Sequence, residues 1–218
     1  MHIAKPFATV WDQSPFRAPG VSAVTPRPSL RPLAPGDTDA LLSLYSDWQV
    51  ARWLSRLPWP FTSDSAQTMI SEAMTDLERT RGYFLRIETR ASGTFVGTVS
   101  LRLPAYDHEP WTTDTTLGIL GYAVLKKEHG RGFATEAAAS MVQFAFGDLD
   151  LHRLRATALR DNIASRRVLE RLGFRIRYAD VREIPRYGGP PRLGDTYMLE
   201  RDDWQAMQRS PQAPTGPL

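Results

Sequence analysis

Gly130-Arg131-Gly132-Phe133-Ala134-Thr135 stands between an apolar run, LGILGYAVL, and a segment in which Ala138, Met141, Val142 and Ala145 recur at helical spacing. Two glycines at such a junction let the backbone turn tightly and approach a ligand with no Cβ in the way. The helix that follows leaves its first N–H groups unpaired. With the positive end of the helix dipole, they form an anion site that suits a pyrophosphate. Lys127, His129 and Arg131 add cationic partners. An ordinary tight turn would carry the same glycines. Two other phosphate-binding designs fail on composition. A P-loop ends in Gly-Lys-Ser/Thr, which does not occur in this chain. A dinucleotide fingerprint needs a small third residue and an acid ending the next strand, where this chain has Thr135 and Ala158-Leu159-Arg160.

The elements that must position this loop are legible on either side. Leu30 to Leu33 reads as a short strand. Asp37 sits where an N-cap would open a helix over 38–56, with Leu41, Leu44, Tyr45 and Trp48 as its stripe. Pro58 and Pro60 interrupt the chain. A helix over 64–80 follows, capped by Thr62, Ser63 or Asp64 and ended by Gly82, with Ala66, Met69, Ile70, Ala73, Met74 and Leu77 on one face. YFLRIETR and TFVGTVSLRL around Ala91-Ser92-Gly93 read as a hairpin. LGILGYAVL is too continuously apolar to have a solvated face. The helix after the loop has Gly147 as its C-cap. RLRATAL alternates as a strand, DNIASRRVLERLGF is a helix closed by Gly173, and FRIRYADVREI and DTYMLER complete the strands. The order predicts a mixed sheet with helices on both faces.

Composition narrows the class. The chain has 218 residues, 42% hydrophobic and 23% charged, enough for a buried core without staples. It has no cysteine, which removes disulfides, thiolate zinc sites and a cysteine nucleophile together. No metal site is expected. No run approaches the ~18 apolar residues a membrane span needs. Asp12, Gln13 and the prolines make the N-terminus a poor secretory signal, so the cytoplasm is the expected location. Residues 1–29 read as an irregular, proline-punctuated arm, in which Trp11 and Phe16 suggest docking on the body or a homodimer contact. The body spans 30–206, and 207–218 reads as a disordered tail. Arginines cluster between Arg153 and Arg192. Without interleaved aromatics, a solvated basic face that partly serves an anionic ligand fits them better than a nucleic-acid platform.

Lys127 to Ala137 resembles the coenzyme A pyrophosphate loop of the GNAT acyltransferase superfamily, whose pattern is Gln/Arg-x-x-Gly-x-Gly/Ala, with Lys127 in the first place. Asn162-Ile163-Ala164-Ser165 and Leu172-Gly173-Phe174 resemble that superfamily's Asn-x-x-Ser…Leu-Gly-Phe segment. Leu30-Arg31-Pro32-Leu33 and Trp59-Pro60 resemble its branch of Rim-type ribosomal-protein N-terminal acetyltransferases. The likeness covers roughly residues 29–204. It implies an α+β fold with a mostly antiparallel sheet of about six or seven strands. That sheet would splay between LGILGYAVL and RLRATAL to admit coenzyme A.

The resemblance also implies roles. Backbone groups of Val124 and Leu125 would pair with pantetheine. N–H groups from His129 through Gly130, Arg131, Gly132, Phe133 and Ala134 to Thr135 would hold the pyrophosphate. Asn162 would meet the pantetheine arm or simply cap its helix, and Ser165 or Arg166 would lie nearer the phosphates. The activity implied is N-acyl transfer, most simply acetyl, from acyl-coenzyme A directly to a primary amine of a protein N-terminus or a small molecule. Two departures stand out. Ile119 occupies the place of a glutamate base, and Leu169 that of a tyrosine acid. His108, Glu109, Asp114 and Tyr122 are therefore the candidates for acid–base work, although 107–109 also reads as an exposed polar loop. Trp48, Trp53, Trp59 and Trp111 are candidates for an apolar acceptor pocket or for core, and Pro185–Gly194 for a lid. A non-catalytic acyl-coenzyme A sensor and a nucleic-acid module are the alternatives.

Overall fold

The computed structural model describes residues 27–54, 56–103, 114–182 and 191–209. Seven strands, β1 (Pro28–Pro32), β2 (Gly82–Thr89), β3 (Phe95–Arg102), β4 (Leu117–Val124), β5 (Arg153–Leu159), β6 (Arg175–Arg182) and β7 (Arg192–Glu200), form one sheet in the order β1-β2-β3-β4-β5-β7-β6. Every neighbouring pair is antiparallel except β4 and β5, which run parallel. The helices are α1 (Thr38–Tyr45), α2 (Trp48–Ala51), α3 (Ser63–Glu78), α4 (Phe133–Gly147), α5 (Ile163–Arg171) and α6 (Arg201–Arg209).

Two cores flank the sheet, as a mixed sheet with both faces covered requires. On one face α4, α5 and α6 bury Phe133, Met141, Leu169 and Trp204 against Leu85, Val99, Leu101, Leu154 and Tyr197. On the other, α1 to α3 bury Leu41, Leu44, Tyr45, Ala66 and Ile70 with Phe95 and Ala123. Ala137, Ala138 and Ala139 let α4 lie close on the strands, and all three are buried.

The β4–β5 ladder sets the shape of the middle. It holds only Leu117↔Arg153, Gly118↔Leu154 and Ile119↔Arg155, and then the strands part. A Cβ on Gly118 would come within 2.8 Å of the Leu101, Leu151 and Leu154 side chains, so the ladder closes tightly just before the split. The splay that the sequence resemblance implied is therefore present.

Several local readings need correction. The helix expected over 38–56 is two helices, because the Asp47 carboxylate accepts the Gln49 N–H (2.8 Å) and starts a new N-terminus. α3 ends at Glu78 and Thr80 takes the left-handed turn (φ 56°), so Gly82 opens β2 instead of ending the helix. Gly147 is the last helical residue of α4, Asp148 is the C-cap, and Asp150 takes the positive φ. α6 runs to Arg209, past the expected end of the body at 206.

Asp37 stands at the start of α1 but does not cap it. Its carboxylate is buried and accepts Arg31 (2.7 and 2.8 Å), Arg86 (2.9 Å) and the Ala34 N–H (2.8 Å). Burial pushes its carboxyl up, but the bonds from Arg31 and Ala34 and the charges of Arg31 and Arg86 outweigh it, and the net shift is downward. A lowered carboxyl contributes stability above its unfolded pKa of about 3.9 and loses it as pH falls through the folded value. Asp37→Ala leaves two guanidinium groups without their buried partner. The expected loss is about 3 kcal/mol, or roughly 6–12 °C in Tm. Melting curves between pH 3 and pH 7 check this, and the wild-type advantage should shrink at the acid end.

Candidate functional site

A cleft of about 1430 Å³ follows the split between β4 and β5 and continues under α1–α3. Its β4 wall is exposed backbone. The Leu125 N–H donates to the Val96 carbonyl of β3 (2.9 Å). Antiparallel alternation then turns Ala123 and Gly121 to β3 as well, and turns Leu120, Tyr122 and Val124 towards β5. Beyond the Ile119↔Arg155 pair, no strand among the described residues meets Tyr122 or Val124 on that side. The Val124 carbonyl accepts His129 Nε2 (2.9 Å), leaving its N–H and both polar groups of Tyr122 facing the gap. Leu125 is corrected from the pantetheine set: its N–H serves Val96 and its carbonyl accepts the Glu128 N–H (2.8 Å).

The upper end of the gap is the glycine loop. Gly130 and Gly132 adopt φ 75° and 86°, the left-handed region that Cβ-bearing residues avoid. Gly132 is the N-cap of α4, and the first helical bond is Glu136 N–H to its carbonyl (3.0 Å). The N–H groups of Phe133, Ala134 and Thr135 thus precede the ladder, as an anion cradle requires. The His129 N–H does not join them, since it donates to the Lys126 carbonyl (3.2 Å). Arg131 pairs with Glu128 and lies 5.2 Å from the Phe133 ring centroid. Lys126, not Lys127, lines the cleft. Arg27, which sequence reading passed over, pairs with Glu136 and lies 5.4 Å from the same ring.

The opposite wall begins at α5. The Asn162 Oδ1 caps it by accepting the Ser165 N–H (3.2 Å), and Asn162 also lines the cleft. Tyr122 Oη reaches across the gap to Ser165 Oγ and donates to its carbonyl (both 3.0 Å). Burial pushes the Tyr122 phenol well above its ordinary range, against a smaller lowering by Ser165. It therefore stays protonated at neutral pH. Arg166 is corrected: its guanidinium donates to Tyr197 Oη (3.1 Å) and the Arg160 carbonyl (3.2 Å), and Arg167 faces the cleft instead.

Asp114 is also corrected. Its carboxylate accepts the Thr116 N–H (2.8 Å) and hydroxyl (2.6 Å) where the chain enters β4, outside the cleft lining. The Thr116 bonds hold it below the usual carboxylate range, which makes it a weak base. His108, Glu109, Trp111 and most of Pro185–Gly194 lie outside the described residues. Trp53 lines the cleft, with the Arg52 guanidinium 4.2 Å and that of Arg192 5.1 Å from its ring, whereas Trp48 and Trp59 stack on each other at 5.3 Å. Glu72 and Asp76 of α3 line the acceptor side, and the sequence alone did not single them out.

A family model described as "Acetyltransferase (GNAT) domain" matches residues 27–175. The chain belongs to the GNAT acetyltransferase family. Within it, the chain is 31% identical over 148 residues to "Probable N-acetyltransferase YjcK" of Bacillus subtilis, covering 66% of this chain and 78% of that one. It is 28% identical over 189 residues to the FsC-acetyl coenzyme A-N(2)-transacetylase of Aspergillus fumigatus, covering 85% and 78%. Mycobacterium smegmatis RimJ in complex with CoA-disulfide superposes with a TM-score of 0.64 at 22% identity, covering 84% and 90%. The protein is an acyl-coenzyme A–dependent N-acyltransferase of this family. No described helix is long and apolar enough to cross a membrane.

The loop fits a coenzyme A pyrophosphate because a Cβ on Gly132 would meet Arg27 Nη2 at 3.0 Å and Glu136 Oε1 at 3.5 Å, filling the cradle. Gly132→Asp adds that Cβ, a strained φ and a negative charge together. Isothermal titration should show coenzyme A affinity falling by about 100-fold or more, on the order of 3 kcal/mol. Unchanged affinity would sink the loop's assignment.

Proposed function

We propose that the protein moves an acetyl group from acetyl-coenzyme A directly to a primary amine, of a small molecule or a protein N-terminus, within a ternary complex. The observation that carries this reading is the split between β4 and β5, open at one end to the α4 N-terminus and closed at the other where the strands pair. The names of the Aspergillus transacetylase and of the coenzyme A-bound RimJ support the donor.

Bound in the gap, acyl-coenzyme A supplies a thioester carbonyl for the amine to attack. The exposed N–H groups of Phe133 to Thr135 hold its pyrophosphate, and the polar backbone of Tyr122 and Val124 extends the sheet along its arm. A β4 N–H facing the gap meets the oxyanion. The amine must arrive neutral, which is easier for a terminal amine (pKa about 7.7–8) than for a lysine (about 10.4). Ile119 cannot take its proton. His108 and Glu109 remain candidates, and Glu72 and Asp76 join them because they line the acceptor side. Leu169 is fully buried and does not reach the thiolate. Tyr122, protonated and lining the cleft, becomes the hydrogen-bond donor for the departing sulfur by turning its O–H away from the Ser165 carbonyl.

Two measurements test this. A thermal-shift titration with acetyl-, succinyl- and free coenzyme A, with NAD and ATP as controls, should raise Tm for the coenzyme A species only. Ligand at 100 times Kd adds about 2.7 kcal/mol, roughly 5–10 °C. No shift with any of them would mean the loop is only a turn. In steady-state thiol release, Tyr122→Phe should lower kcat by about 100-fold with little change in coenzyme A affinity. Full activity in that variant would remove Tyr122 from the chemistry.

A further inference from the structure

The acceptor end of the cleft has a charge pattern that the cofactor does not explain. Arg102 of β3, Ile119 of β4 and Arg155 of β5 are direct cross-strand neighbours. Val99 and Leu101 beside Arg102, and Leu154 and Ala156 beside Arg155, face the α4 core, so both arginines project from the opposite face, under α1–α3. Both are half-buried and line the cleft. Strand spacing places their Cα atoms roughly 10 Å apart on either side of Ile119. This row lies at the closed end of the split, five residues before Val124 and therefore roughly 17 Å along the strand from the end of β4 that leads to the glycine loop.

A third guanidinium enters from above. Arg52 lines the same cleft, and its Nε is buried with no hydrogen-bond partner among the described residues, a donor that a ligand oxygen would satisfy. Arg192 donates to the Arg52 carbonyl (3.0 Å) and pairs with Asp161, joining two walls of the cleft. Glu72 and Asp76 of α3 supply negative charge on the same side. A guanidinium has five donors in a planar fork, so Arg102 and Arg155 can grip a carboxylate while keeping other contacts.

We propose, building on the acyltransferase reading above, that the acceptor is a small amine that also bears a carboxylate, an amino acid by chemical class. Arg102 and Arg155 hold its carboxylate on the floor of the cleft, and Glu72 and Asp76 face its ammonium. The ammonium loses one proton, the neutral nitrogen attacks the thioester carbonyl carbon, and it releases a second proton as the amide forms. The C–N bond forms, the C–S bond breaks, and the sulfur leaves as the thiol once it takes a proton.

The test is thiol release at saturating acetyl-coenzyme A with the common amino acids, their carboxamides, spermidine and short peptides with free N-termini. At least one amino acid should exceed its carboxamide by about tenfold or more in kcat/KM, and spermidine and the peptides should fall below it. Arg155→Gln should raise KM for that amino acid about tenfold, with a much smaller change in kcat, and abolish the preference over the carboxamide. The native panel stands even if that variant misfolds, and Arg102→Lys offers a milder second change. Preference for spermidine or a peptide, equal use of acid and amide, or no turnover of any amino acid would overturn the proposal. If the native protein shows a coenzyme A thermal shift but no carboxylate preference, only this inference fails. If it shows no shift, the acyltransferase reading fails first.

Discussion

The parting of two parallel strands after three residue pairs is the constraint on which the rest of the molecule depends. A strand edge inside a sheet normally spends its N–H and C=O groups on a neighbour, and unspent groups are costly unless something else meets them. Here β4 is held along its length by β3 and β5 by β7, so the inner edges can separate without loosening either strand. Gly118 closes the lower end by close packing, and the Tyr122–Ser165 bond spans the open part. The gap is thus a built feature of the fold, with α4 and α5 on one face and α1 to α3 on the other. Each face can then deliver a different reactant to the same opening.

Charge in this arginine-rich chain divides by location. The four-residue network of Arg31, Asp37, Arg86 and Glu88 pins the β1–β2 edge to the turn before α1, and its centre is the buried Asp37 carboxylate. The arginines between 153 and 192 do not share one face. Arg160 pairs with Asp195, Arg166 meets Tyr197, and Arg192 pairs with Asp161, while Arg155, Arg167 and Arg171 line the cleft. An exposed pair such as Arg192–Asp161 is worth about 0–1 kcal/mol, so it serves to place side chains more than to stabilise the fold. Arg192 shows the point, tying two cleft walls together through one side chain.

Much of this was legible in the residues. Apolar periodicity marked out the strands and most of the helices, because burial on one face imposes a repeat of 2 or 3.6 whatever the partner. The glycine pair marked the tight turn before α4, because φ values of 75° at Gly130 and 86° at Gly132 favour a residue without Cβ. Asn162 was read as a cap or a ligand group, and it caps its helix while lining the cleft. Helix ends were less legible. Asp37 and Asp47 look alike as caps in sequence, yet one carboxylate is claimed by distant arginines and the other caps its own helix.

What the chain determined by itself, then, was its class of fold and the kind of anion it binds, since both follow from local pattern and backbone sterics. Tertiary structure alone decided which polar groups are spent and which are open. The Leu125 N–H is consumed by Val96, Arg166 by Tyr197, the Tyr122 hydroxyl by Ser165 and the Asp114 carboxylate by Thr116, while Arg167 and Glu72 line the cleft. Hydrogen bonding is a competition among groups brought together from far apart in the chain, and spacing along the sequence does not record who the competitors are.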